Sequence, residues 1–256
     1  MPANPKGTTT WDEMPPAMAL HTLLLVLLAV LAGTFAAVVL LPTWVPALGA
    51  SFSGSGPKAY WYISRASAGV AYGLLWFSMA LGLTITNKMA RLWPGGPVAF
   101  DLHQHASLLG LVFALFHAII LTGDKYIDYT LVQVLTPFAS VDFKPLWVGL
   151  GQIAFYLLAV VSLSFYVRGI IGRRLWRLVH YLSFVVFLLT MLHGVMSGTD
   201  SELAWVSQTY WLSGSTLLFL TIYRLLSRAF KSRPKRGRSS ARTATPPRQR
   251  PVASAG

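Results

Sequence analysis

The chain of 256 residues has no cysteine, which excludes disulfides, iron–sulfur clusters and thiolate metal sites. Charge is also scarce. Asp, Glu, Lys and Arg make up 11% of the residues, against about 25% in a soluble domain. Apolar residues make up 54% and the mean hydropathy is +0.56. So much apolar surface cannot be buried in one small soluble core, and long uncharged runs assign the chain to a membrane. Acid is the scarcest charge: the eight carboxylates are Asp12, Glu13, Asp101, Asp124, Asp128, Asp142, Asp200 and Glu202, all in loops or at the ends of apolar runs. Met1 to Pro16 has no basic n-region, and the apolar run behind it is too long for a signal peptide, so a retained first helix is expected.

The net charge of +13 is concentrated at one end. Nine of the 21 Lys and Arg lie between Arg228 and Arg250, so the remainder carries +4 once these nine are removed. With its Pro, Ser, Thr and Ala, residues 227–256 are expected to form a disordered cytoplasmic tail against anionic lipid. No aromatic or fold-level signal points to nucleic acid.

Six apolar segments of spanning length follow one another: Ala17–Leu41, Tyr60–Thr86, Asp101–Thr122, Leu146–Val167, Leu175–Ser197 and Ala204–Leu226. Each reaches the ~20 residues that cross hydrocarbon, and Gly/Pro-rich stretches separate several of them. The expectation is an all-α membrane protein with a six-helix bundle at 17–226, a short cytoplasmic segment at 1–16 and no second domain. Lys88 and Arg91 lie between the second and third segments, and Arg168, Arg173 and Arg174 between the fourth and fifth, with Arg177 just inside the fifth. The other loops are poor in base or net acidic. The positive-inside rule then puts both termini in the cytoplasm and runs the third and fifth helices outward through the plasma membrane.

Five of the six histidines fall on those two helices. His103 and His117 are 14 residues apart on the third, and His180 and His193 are 13 apart on the fifth. At 1.5 Å per residue these are steps of roughly 21 and 20 Å, in a hydrocarbon layer about 30 Å thick. His103 with His180, and His117 with His193, therefore share two depths. Ionisable residues at membrane depth are costly and usually functional. Imidazole on both axial faces suits haem iron. Two haems so clamped would divide the membrane into short electron hops. C-x-x-C-H is absent, so the haem would be haem b, held non-covalently. A step of 14 returns His117 to the face of His103, but a step of 13 rotates His193 by roughly 140° from His180. A π-bulge, a kink or a laterally offset haem is needed to absorb this.

His105 is about 200° round the helix from His103, as expected of a hydrogen-bonding or propionate-contacting residue. The alternative is that it replaces His103 as ligand. His21 stands alone near the start of the first helix. Ala106, Ser107, Gly110 and Ala114 are small residues near the ligands; at Gly110 and Ala114 they make room for a flat macrocycle or for close helix contact.

Phe100-Asp101-Leu102-His103 with His117, and Arg173-Arg174-Leu175-Trp176-Arg177-Leu178-Val179-His180 with His193, resemble the ferric reductase-like transmembrane domain over about residues 60–226. This family includes ferric reductases, the membrane domain of NADPH oxidases and the haem-binding membrane subunit of a periplasmic methionine sulfoxide reductase system. The resemblance implies two bis-histidine haems, the inner on His103 and His180 and the outer on His117 and His193. The 14 and 13 spacing is similar to that of the oxidases. Arg65, in Ile63-Ser64-Arg65-Ala66-Ser67, is similar to an arginine near the haem; a guanidinium there could pair with propionates or snorkel to the interface. Arg173, Arg174 and Arg177 could meet inner propionates or act as positive-inside anchors.

About 30 residues follow Leu226, without a G-x-G-x-x-G-like run. The chain is therefore expected to bind no flavin or nicotinamide, and to take electrons from a separate flavoprotein reductase or quinol for an acceptor on the outer side. The rival readings are a histidine-dependent metal-ion or proton transporter, and a non-catalytic membrane subunit. Transporters usually pair such histidines with mid-membrane carboxylates, which are missing here.

Overall fold

A computed structural model describes residues 14–45, 59–92, 94–124, 127–141 and 143–231. Most of the 1–16 segment and nearly all of the basic tail lie outside the described residues. Every regular element among them is helical: α1 Leu20–Trp44, α2 Ala59–Thr86, α3 Gly96–Ile120, α4 Leu131–Leu135, α5 Pro145–Ser164, α6 Arg168–Ser197 and α7 Ala204–Lys231. Five of them (α1, α2, α3, α5 and α6) are both long and apolar enough to cross a membrane. The sixth expected segment forms a helix, α7, of 28 residues, which is not among those five. It has the length, but Ser207, Gln208, Thr209, Ser213, Ser215 and Thr216 dilute its first half.

The boundaries have local causes. α3 begins at Gly96, earlier than the apolar run suggests, because Pro97 suits a first turn and Gly95 takes the positive φ of 104° that turns the chain into it. α6 likewise begins early, at Arg168, but Gly172 interrupts it with φ 79°. The continuous helix carrying both histidines therefore starts at Arg173. The 123–145 segment, read as a loop, holds the short α4. Its signal is Thr130-x-x-Gln133, a capping box in which the Thr130 hydroxyl accepts from the Gln133 amide at 3.2 Å and Gln133 Oε1 accepts from the Thr130 amide at 2.9 Å.

α2 packs along α3, and α5 along α6. α1 lies on α3 and α7 on α2, whereas α3 and α6 are scarcely in contact. Two hairpins thus face one another and leave a slot between the histidine-bearing helices. The centre is a cluster of Tyr72, Leu75, Met79, Leu111, Leu158, Val186, Phe187 and Leu217. Tyr72 stacks on Phe187 and meets Tyr210 edge-on, and its hydroxyl lies 2.5 Å from Ser213 Oγ of α7. Asn87 reaches the Leu220 carbonyl further along the same helix at 3.2 Å. α7 is thereby tied to α2 at two levels. Outward-facing residues such as Leu25, Leu28 and Leu218 are about 60% exposed, as suits a surface solvated by lipid tails rather than water.

Candidate haem-binding site

The four histidines meet in two pairs across the slot. The ring centroids of His103 and His180 are 6.1 Å apart with planes at 72°, and those of His117 and His193 are 6.3 Å apart with planes at 67°. A cavity surrounds each pair. The one at His117 and His193 has a volume of about 540 Å³ and the one at His103 and His180 about 480 Å³. Leu75 and Leu158 line both and form the partition between them.

The hydrogen bonds define the tautomers. His103 Nδ1 lies 2.8 Å from the Ser78 carbonyl, His117 Nδ1 2.9 Å from the Ser64 carbonyl, and His193 Nδ1 2.9 Å from the Trp147 carbonyl. A carbonyl only accepts, so each of these Nδ1 atoms carries the proton. The unprotonated Nε2 is then left with its lone pair free. This is the second-sphere arrangement that orients a metal-binding imidazole and raises its basicity. Among the described residues no hydrogen bond holds His180. Its ring lies against Trp176, one helical turn earlier, at 5.4 Å and 31°.

The 13-residue offset is absorbed without a break in the helix. α6 is regular between His180 and His193, and its one non-helical residue, Gly172, precedes both. His193 instead lies over Gly151 of α5, where a Cβ would come within 2.5 Å of Nδ1 and 2.6 Å of Cγ. α5 therefore provides both the space and the carbonyl that aim His193. Of the small residues on α3, Gly110 lies against Ala71, Leu74 and Leu75 of α2, and Ala114 lines the larger cavity.

Arg65 also lines the larger cavity. Its guanidinium is paired with the Asp200 carboxylate, in the turn between α6 and α7, and stands 5.7 Å from the Tyr62 ring. Lys88, Arg91, Arg177, Arg224 and Arg228 line the smaller cavity, together with the buried and unpartnered indole nitrogen of Trp176. His105 lines neither cavity; its Nδ1 bonds the Asp101 carbonyl of its own helix at 3.0 Å. Replacing His105 with alanine is accordingly expected to leave the absorption spectrum and the haem content unchanged. Loss of one haem would assign the ligand role to His105 instead of His103.

Sequence reasoning missed Ser64 and Ser78. They are 14 residues apart on α2, the same step as His103 to His117 on the antiparallel α3. The matching step was a legible signal.

These features define a polytopic helical membrane protein with two half-buried imidazole pairs stacked along one slot. Residues 67–191 match the model of the family described as ferric reductase like transmembrane component, so this part of the chain is similar to that domain. The matched span contains His103, His117 and His180, and ends two residues before His193. No curated protein and no solved structure matches the chain.

Proposed function

We propose that the chain is a dihaem b-type cytochrome that passes single electrons across the plasma membrane from a cytoplasmic-side donor to an acceptor outside. The observation that carries this reading is the pair of facing imidazoles repeated at two levels. A metal–imidazole nitrogen bond is about 2.0 Å, so two rings on opposite faces of one metal have centroids roughly 6 Å apart. An edge-to-face aromatic pair can show a similar spacing. The free Nε2 atoms and the cavity around each pair favour the metal-binding explanation.

The donor set fits haem better than a bare ion. Among the described residues no three His, Asp or Glu side chains gather as a metal site. A protein-bound cation usually needs more donors than two imidazoles, whereas a porphyrin supplies its own four. The same fact counts against the transporter reading. His103, His180, His117 and His193 would hold the haems, which would supply one-electron chemistry to an acceptor outside the chain. The residues themselves orient the imidazoles and place basic side chains around each cavity, where propionates could be met: Arg65, paired with Asp200, at the outer level, and Arg177, Arg224 and Arg228 at the inner. α7, tied along α2, would complete the bundle as its sixth span, and the loop charges favour both termini on the cytoplasmic side. A separate redox partner, either a flavoprotein reductase or a quinol, would supply the electrons.

The test is an absorption spectrum of the detergent-purified protein, oxidised and dithionite-reduced, with haem extracted and counted per polypeptide. Low-spin b-type bands with two haems per chain are expected. One haem per chain would reject the dihaem reading, and none after expression with ample haem would reject haem binding.

A further inference from the structure

We infer that four serines tune the two histidines of α3 separately, with Ser64, Ser78 and Ser107 strengthening the acceptor at Nδ1 and Ser67 weakening it. Ser64 and Ser78 touch these rings directly, whereas Ser67 and Ser107 act through them. The inference rests on the dihaem reading above.

Each α2 serine contacts its histidine through two oxygens. Ser64 offers His117 Nδ1 its carbonyl at 2.9 Å and its Oγ at 2.8 Å; Ser78 offers His103 Nδ1 its carbonyl at 2.8 Å and its Oγ at 2.9 Å. The Nδ1 proton is thus shared between two acceptors. Both serines are almost wholly buried, so water does not compete for these bonds. A stronger acceptor at Nδ1 makes the imidazole a better electron donor at Nε2. That stabilises the oxidised metal and lowers the midpoint potential.

The two sites then differ. A hydroxyl has one proton to give. The Ser107 hydroxyl donates to the His103 carbonyl at 2.8 Å, and its oxygen lies 2.6 Å from Ser78 Oγ. Ser78 Oγ also lies 3.3 Å from the His103 carbonyl, but the much shorter contact takes its proton to Ser107 and leaves a lone pair towards His103 Nδ1. A hydroxyl that donates in such a chain is a stronger acceptor, so Ser107 reinforces Ser78. At the other site Ser64 donates directly to the His117 carbonyl at 3.1 Å. The Ser67 hydroxyl meanwhile donates to the Ser64 carbonyl at 2.8 Å, the same oxygen that accepts from His117. Two donors on one oxygen weaken one another, so Ser67 opposes Ser64.

Four alanine variants follow. Ser78→Ala and Ser107→Ala should raise the midpoint potential of the His103/His180 centre alone. Ser64→Ala should raise that of the His117/His193 centre, and Ser67→Ala should lower it. The direct contacts, Ser64 and Ser78, should shift the reduction equilibrium by up to about tenfold, roughly 59 mV for one electron. Ser67 and Ser107 should have smaller effects. Ser64→Thr and Ser78→Thr, which keep the hydroxyl, should lie close to the wild-type midpoints.

The measurement is a potentiometric redox titration of the purified protein, followed in the reduced b-type band, with electron paramagnetic resonance of the oxidised centres and haem counted in every sample. Two unmoved midpoints in samples that keep both haems would overturn the inference. A Ser67→Ala shift in the same direction as Ser64→Ala would also overturn it, because packing damage has no reason to reverse sign. Wild-type protein without two b-type centres would instead overturn the reading beneath it.

Discussion

Replacing His117 with alanine is expected to halve the haem content, from two per chain to one, and to leave the remaining centre spectrally intact. His193→Ala should do the same. The two rings face one another at 6.3 Å, and no other histidine lines that cavity, so neither has a substitute ligand. The other pair is separated from this level by Leu75 and Leu158, so it should survive. His103→Ala and His180→Ala should produce the complementary loss. Pyridine haemochrome counting of all four variants checks the assignment. Undiminished haem in both His117→Ala and His193→Ala would remove those residues from the ligand set. Loss of both haems in every variant would show that the two sites do not fold independently.

Gly151→Ala should mimic His193→Ala, although Gly151 has no side chain to bind anything. A Cβ there would sit 2.5 to 2.8 Å from three atoms of the His193 ring, closer than packed atoms tolerate. α5 cannot easily withdraw, because it packs along much of α6. The ring must rotate instead, and it then loses the Trp147 carbonyl that fixes its tautomer. Overpacking alone typically costs about 1–3 kcal/mol, and here the strain falls on the ligand. Gly82→Ala is the control. Its Cβ would stand 3.3 Å from His103 Cε1, so a shift of a few tenths of an ångström should suffice and both haems should remain. Haem counting and thermal unfolding in detergent separate these outcomes. Full haem content in Gly151→Ala would mean that α5 does not aim His193.

The membrane class, the long helices and the candidate histidines were legible because they depend on one-dimensional quantities. Apolar run length, the spacing along a single helix and loop charge need no knowledge of neighbours. His103 and His117 illustrate this: 14 residues return to one helical face whatever else the protein does. The short α4 was legible too, through Thr130 and Gln133, but the loop-like composition around it concealed the capping box. Likewise the polar first half of α7 is plain in its residues, yet length and apolarity were weighed together as one run.

His193 marks where such reasoning stops. Its spacing from His180 asks for a π-bulge, a kink or a laterally offset haem; between these two residues α6 is regular, and the ring is aimed from another helix. Gly151 and the Trp147 carbonyl lie more than forty residues away in the chain, and only the packing of α5 on α6 brings them to the ring. Ser64 and Ser78 are of the same kind, since a serine in an apolar helix has no assigned partner until the register of α2 against α3 provides one. What the sequence by itself determined was the medium, the helices and the spacing of the histidines along them, all properties of residue type and order. What only the tertiary structure decided was which atoms hold the imidazoles of His103, His117 and His193 and leave their Nε2 free. Hydrogen bonds depend on ångström-scale contacts between helices, and periodicity along one helix does not encode those.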